Sequence, residues 1–140
     1  MGYAQAVVSV FSNYFTFKGR APRSEYWYFV LFYMIGNAAT TLIDQRMFEF
    51  QSSGLLGSIY GLVTFVPSLS VAVRRLHDTG RSGWWVLVPI LALVLAVVVS
   101  LAVRSSWVGV VMLVPVALTI YLFARPSEPG PNAYGPPVTA

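Results

Sequence analysis

The chain has no cysteine among its 140 residues, which excludes disulfides, iron–sulfur clusters, thiolate zinc sites and cysteine nucleophiles. It also has only one histidine and five carboxylates, too few ligands for a convincing metal site made of protein groups alone. We therefore expect neither a metal nor a cofactor.

Charge is equally scarce. Charged residues make up 10% of the chain and hydrophobic residues 56%, whereas soluble domains carry roughly 25% charged residues. Nine cations and five carboxylates cannot cover the surface of a soluble domain of this size, so the composition indicates an integral membrane protein and excludes disorder. The cations punctuate apolar runs instead of clustering on a soluble basic face, and we expect no nucleic-acid partner.

Four apolar stretches have about the length that a helix needs to cross the hydrocarbon core of a bilayer, which is about 20 residues. They cover residues 26–43, 55–73, 84–103 and 107–123. Only residues 104–106 separate the last two, and one continuous helix there would be about 60 Å long, twice the bilayer. The sequence therefore predicts an all-α membrane protein with four transmembrane helices, the last two forming a hairpin.

The two ends of the chain differ from these spans. Residues 3–17 mix apolar and polar side chains and are too short to span, which favours an amphipathic helix lying on the membrane surface. Residues 126–140 are rich in proline and glycine and predict an extended, mobile tail. We accordingly divide the chain into a membrane domain, residues 1–125, and a tail, residues 126–140.

Cations are distributed unevenly about the predicted spans. Two lie on one side, Arg46 and Arg104, and seven lie on the other: Lys18, Arg20, Arg23, Arg74, Arg75, Arg81 and Arg125. Because cytoplasmic loops carry the excess of Lys and Arg, we expect both termini and the central loop in the cytoplasm.

The central loop contains His77, Asp78 and Ser82, residue types that also form hydrolase triads. A triad needs a histidine that bridges nucleophile and carboxylate in space. The side chains of adjacent residues diverge, and the sequence has no nucleophile elbow, so we expect no enzyme. We instead assign Glu25, His77 and Asp78 to a structural polar network, in which Glu25 or Asp78 pairs with an arginine of the neighbouring segment.

The arginines leave two interpretations open. In one, they only orient the protein in the membrane and stabilise the ends of helices. In the other, they bind an anionic lipid headgroup or another phosphate-bearing ligand, because arginine offers two parallel donors to a phosphate. The candidate ligands are Arg74, Arg75, Arg81, Ser82, Arg20 and Arg23.

Three motifs resemble those of the DUF805 family of small bacterial inner-membrane proteins. They are Phe17-x-Gly19-Arg20-x-x-Arg23-x-Glu25-Tyr26-Trp27, then the run from Arg74 to Trp85, RRLHDTGRSGWW, and Gly130-x-Asn132-x-Tyr134-Gly135. The resemblance implies four spans and a location in the bacterial cytoplasmic membrane. It implies no activity, because the function of that family is unknown.

Our leading hypothesis is a non-enzymatic membrane protein, a binding or accessory component that uses its basic cytoplasmic face. The alternatives are a small oligomeric channel or transporter and, third, a lipid-modifying enzyme. Membrane lipids are the expected partners, and a homo-oligomer or a larger membrane complex is left open. A stripe of small residues, Ser53, Gly57 and Gly61, favours close helix contact either within one chain or between two copies.

The predicted orientation is testable because the chain has no natural cysteine. Single cysteines placed at Ser12 and Thr139 should be protected from a membrane-impermeant thiol reagent in intact cells, and one at Ser52 should react. Labelling at both ends with none at Ser52 would reverse the orientation.

Overall fold

A computed structural model of the chain describes residues 1–47, 54–103 and 108–138. Every regular element in these residues is helical, as the composition predicts. Five α-helices and one short 3-10 turn follow one another: α1 Tyr3–Ser12, α2 Arg23–Met47, α3 Leu55–Asp78, the turn Gly83–Val86, α4 Leu87–Val103 and α5 Val108–Phe123.

Three helical segments are long and apolar enough to cross a membrane, namely Arg23–Met47, Leu55–Asp78 and Gly83–Ala102. Helix α5 has 16 residues and is about 24 Å long, short of a hydrocarbon core of about 30 Å. Three of the four predicted spans therefore have the length and hydropathy to cross a membrane, and the fourth span stays a prediction. Helices α4 and α5 pack against each other, as a hairpin requires. The predicted turn at residues 104–106 lies outside the described residues, as does Ser53.

Helix α1 packs against α2 and α3 through one face. Ala6 and Val10 on that face are fully buried, whereas Val8 points away from it and is exposed. The hydroxyl of Ser9 donates to the carboxylate of Glu25 at the start of α2, at 3.0 Å. The helix is thus fixed to the bundle by one apolar face and leaves other apolar side chains uncovered, as an interfacial helix does.

Helices α2 and α3 are also joined where α2 ends and α3 begins. The carboxylate of Asp44 on α2 accepts hydrogen bonds from the backbone N–H groups of Leu56 and Gly57, at 3.1 and 3.0 Å. It thereby satisfies donors that a helix N-terminus leaves unpaired, and the helix dipole favours its negative charge. Gly57 faces α2, so this member of the small-residue stripe serves contact within one chain.

The packed core lies at the end of the bundle where α2 begins and α3 and α5 end. Tyr26 and Phe123 stack there with ring centroids 4.5 Å apart, and Phe29, Val71 and Leu76 are buried beside them. Along the rest of α4 and α5 most large apolar side chains are exposed. That distribution suits a protein whose solvent is lipid, because burial brings apolar side chains no hydrophobic gain there.

The C-terminal segment corrects one sequence-based prediction. Residues 126–138 fold back onto the end of α3 and do not extend away from it. The N–H of Glu128 donates to the carbonyl of Asp78 at 2.9 Å, and the amide of Asn132 donates to the carbonyl of His77 at 2.9 Å. These carbonyls belong to the last turn of α3, where helical partners are missing. The expectation of an extended tail is therefore wrong for these residues, because the segment completes the cap of a helix.

We predict that Gly36→Ala weakens the contact between α2 and α3. An added Cβ would overlap the hydroxyl of Tyr60, which donates to the carbonyl of Phe32 at 3.1 Å. Displacing that ring should cost about 1–3 kcal/mol, measured by thermal unfolding in mild detergent with circular dichroism. Gly61→Ala is the control, because nothing lies within 4 Å of its added Cβ, and it should be neutral or stabilising by up to about 1 kcal/mol. Equal melting temperatures for the two variants would contradict the packing.

Candidate functional site

Two charged segments meet at the packed end of the bundle, centred on Asp78. One oxygen of this buried carboxylate accepts from Nε of Arg20 at 2.8 Å, and the other accepts from Nη1 of Arg75. Arg20 precedes α2 and Asp78 ends α3, so this pair joins segments 58 residues apart. A single carboxylate thus compensates two buried guanidinium groups.

A second ion pair lies beside the first. Nη2 of Arg74 donates to Oε1 of Glu25 at 3.0 Å, and both side chains are buried. The prediction that Glu25 or Asp78 pairs with an arginine of the other segment is confirmed for both carboxylates. We call Arg20, Glu25, Arg74, Arg75 and Asp78 the buried ion network.

The remaining donors of Arg20 bind the C-terminal segment. Its Nη1 donates to the carbonyl of Gly130 and its Nη2 to the carbonyl of Glu128, both at 2.7 Å. Backbone carbonyls therefore accept from the two Nη groups of Arg20, while the side chain of Asp78 accepts from Nε. This explains why a segment rich in proline and glycine takes a defined course.

Arg75 is fully buried, with 0% of its surface exposed. Its Nε donates to the carbonyl of Phe123 at 3.1 Å, its Nη2 to the carbonyl of Arg125, and its Nη1 also to the hydroxyl of Ser127 at 3.2 Å. These carbonyls lie at the end of α5, where unpaired C=O groups carry a partial negative charge that favours a cation. Arg75 therefore ties the end of α3 to the end of α5.

These contacts change the roles assigned from sequence to three arginines. Arg20, Arg74 and Arg75 were candidate anion ligands, but they are buried and their guanidinium groups bind carboxylates or carbonyls of the protein. An incoming phosphate would have to displace those acceptors and enter a site closed to solvent. We therefore assign these three arginines to the buried ion network and not to an anion site.

His77 also serves the assembly of this end. Its Nδ1 lies 3.1 Å from the carbonyl oxygen of Gly19, which can only accept, so Nδ1 carries the proton. Its ring stacks on Tyr134 with centroids 3.8 Å apart. The polar contact of the imidazole is thus to a backbone carbonyl, while Asp78 binds arginines, and the pair does not form the relay of a hydrolase. In the part of the chain that the structure describes, no three His, Cys, Asp or Glu side chains gather as metal ligands would.

Two arginines that the network does not use meet on one aromatic ring. The guanidinium carbon of Arg81 lies 4.8 Å from the ring centroid of Trp85 and 6.0 Å from that of Tyr121, and that of Arg125 lies 5.3 Å from Tyr121. These are cation–π distances. We call Arg81, Trp85, Tyr121 and Arg125 the arginine–aromatic surface.

The other candidates lie around this surface. Ser82 accepts from the backbone N–H of Trp84 at 3.4 Å and so caps the 3-10 turn. Arg23 is exposed and donates to the carbonyl of Ala124 at 3.4 Å. Sequence reasoning counted Arg125 only as an orienting charge and missed Tyr121. Tyr121 and Arg125 are four residues apart at the end of an apolar run, and this spacing is the feature of the sequence that could have indicated their contact.

Charge is concentrated at this end of the protein. It carries seven cations and three carboxylates, Glu25, Asp78 and Glu128, which leaves an excess equal to the whole net charge of +4. The buried ion network contains three of the cations and two of the carboxylates. Most of the excess is therefore carried by Lys18, Arg23, Arg81 and Arg125, which lie outside the network.

Comparisons with known proteins agree with the sequence motifs. Residues 14–136 match the family described as "Protein of unknown function (DUF805)". The chain is 45% identical over 83 residues to the inner membrane protein YhaH of Escherichia coli K12, covering 57% of this chain and 68% of the relative. It is 45% identical over 87 residues to the inner membrane protein YhaI of the same strain, covering 59% and 69%. It is 31% identical over 128 residues to the uncharacterized protein YiiR of that strain, covering 86% and 84%. No solved structure matches the chain.

We predict that Asp78→Asn strongly destabilises the protein. The neutral amide would leave Arg20 and Arg75 buried without their shared counter-charge, which should cost about 3–5 kcal/mol. Thermal unfolding in mild detergent measures this loss. Glu128→Gln is the control, since Glu128 is only partly buried and accepts from Asn132 at 2.8 Å. Glutamine keeps an acceptor oxygen and loses only the charge, so this variant should cost no more than about 1 kcal/mol. If the two variants melted together, Asp78 would not be the centre of the network.

Proposed function

Because the chain belongs to the DUF805 family, whose description assigns no function, we propose a function from the geometry of its basic end. The chain is a non-enzymatic protein of the bacterial inner membrane and acts as a binding or accessory component. Its arginine–aromatic surface binds an anionic lipid headgroup or another phosphate-bearing ligand. The names of YhaH and YhaI as inner membrane proteins support the location.

One observation carries this proposal: Arg81 and Arg125 share the ring of Tyr121. A guanidinium that stacks on an aromatic face keeps its N–H edge available for the oxygens of a phosphate. Two such groups beside one ring bring two planar donors to a single region of the surface. The buried arginines offer no comparable site, because their guanidinium groups are shielded from solvent and already bind oxygens of the protein.

The membrane setting supports an anionic partner. Trp85 lies beside Arg81, and tryptophan is enriched at the level of the lipid headgroups. With four spans and both termini in the cytoplasm, as proposed from the cation distribution, this surface faces the leaflet that carries the anionic lipids. Each cation near such a surface is worth about 1 kcal/mol.

The double variant Arg81→Lys with Arg125→Lys tests the proposal. It keeps the charge and the orientation signal but loses the planar fork of both side chains. Native mass spectrometry in mild detergent with added phosphatidylglycerol should show a loss of lipid retention of at least about tenfold, roughly 1.4 kcal/mol. Titration with inorganic phosphate in the same detergent distinguishes a headgroup site from a site for a free phosphate.

Arg46→Lys is the matched control, because Arg46 is exposed near the end of α2 remote from the network. It should retain phosphatidylglycerol as the parent chain does. Unchanged lipid retention together with unchanged phosphate affinity in the double variant would reduce Arg81 and Arg125 to orienting charges. Loss of phosphate affinity with unchanged lipid retention would assign the surface to a free phosphate-bearing ligand.

A further inference from the structure

An apolar groove separates the pair α2–α3 from the pair α4–α5. Its volume is about 580 Å³, and 13 side chains line it from the packed end of the bundle inwards. We propose that this groove holds one acyl chain of a phospholipid of the adjacent leaflet, with the lipid phosphate at Arg23. The proposal deepens the anionic-lipid function above and rests on it only for the charge of the headgroup.

The groove follows from how the helices pair. Helices pack closely within each pair, whereas α3 meets the second pair mainly through the 3-10 turn and the end of α5. Arg75 and the stack of Tyr26 on Phe123 hold the pairs together at the packed end, and the pairs diverge beyond it. Pro89 and Pro115 line the gap, and Pro115 lies inside α5, where a proline favours a bend.

The walls of the groove favour an apolar occupant. Apart from Tyr26, Trp27 and Thr119, every lining residue is purely apolar. The hydroxyl of Thr119 donates within its own helix to the carbonyl of Pro115 at 2.8 Å. A hydrocarbon chain therefore meets a wall whose threonine needs no outside partner.

The length of the groove distinguishes a lipid acyl chain from a transmembrane helix of a second copy as its occupant. On α5 the lining residues run from Met112 to Phe123, which is about 17 Å at 1.5 Å per residue. One leaflet contributes half of a hydrocarbon core of about 30 Å, so the groove has the depth of one leaflet. A transmembrane helix of a second copy would need contact over the whole thickness, and the lining favours a chain from one leaflet.

Charge at the mouth of the groove identifies the kind of lipid. Arg23 lies one helical turn before Trp27, which lines the groove, and donates to Ala124, which follows the lining residue Phe123. Its exposed guanidinium thus lies at the mouth of the groove. A phosphate there completes an amphipathic match: a charged head at the arginine and an apolar chain between the helix pairs.

A photoreactive lipid tests this assignment. The chain is reconstituted in phosphatidylcholine vesicles containing phosphatidylglycerol with a diazirine in the middle of one acyl chain, and peptide mapping locates the label. We expect labelling at Met112 and Val116 in the groove to exceed that at Leu113 and Val114, which are exposed outside it, by about fivefold, roughly 1 kcal/mol. Val116→Trp should remove the excess by filling the groove, and Val114→Trp should leave it unchanged.

A second set of variants tests the contact of the headgroup with Arg23 and replaces Val116→Trp if that variant fails to fold. Arg23→Gln should lower labelling by the phosphatidylglycerol probe about fivefold, roughly 1 kcal/mol, but not labelling by a diacylglycerol probe of the same chain. Leu93→Trp fills the groove from α4 and replaces Val116→Trp if that variant does not fold.

Three results would overturn the proposal. Equal labelling inside and outside the groove would leave only boundary lipid. Disulfide-linked dimers of a Val116→Cys variant would show that a second copy fills the groove. An Arg23→Gln variant that labels normally would remove the phosphate from Arg23. Failure of the arginine–aromatic surface is seen separately, because the variant of Arg81 and Arg125 would then retain phosphatidylglycerol unchanged while groove labelling persists.

Discussion

The basic end of the protein depends on one constraint, which is that Arg75 is fully buried and must find acceptors for its guanidinium. Removing such a charge from water costs several kcal/mol, and one carboxylate shared with Arg20 compensates only part of that cost. The carbonyls of Phe123 and Arg125, at the negative end of α5, supply the rest. The position of α5 against α3 follows from this requirement.

The same requirement divides the arginines into two groups. Those of the buried ion network bind protein oxygens and hold helix ends together, and their positive charge is largely neutralised where they lie. Arg81 and Arg125 rest on aromatic rings at the surface, and together with Lys18 and Arg23 they carry most of the net charge. The proposed function is therefore assigned to the second group.

Beyond the packed end, the helices expose apolar side chains that suit contact with lipid and not with water. The outward faces of α4 and α5 remain apolar and uncovered, because helices in a bilayer gain little from burying one apolar surface against another. The two helix pairs can therefore diverge without hydrophobic cost. The groove between them follows because Arg75 and the stack of Tyr26 on Phe123 join the two pairs at the packed end.

Much of this fold could be predicted from the sequence. The hydropathy of each span is a local property, so it determined the helices, and the count of cations on each side determined which loops share a face. Opposite charges on a shared face also determined that Glu25 and Asp78 would pair with arginines.

The course of the C-terminal segment, by contrast, was predicted wrongly, because its proline and glycine content says nothing of the buried donors that its carbonyls meet. Only the tertiary structure decided that Arg75 turns inward and that Arg125 joins Arg81 on Tyr121. Those outcomes depend on distances between segments 40 to 60 residues apart, which no local pattern contains.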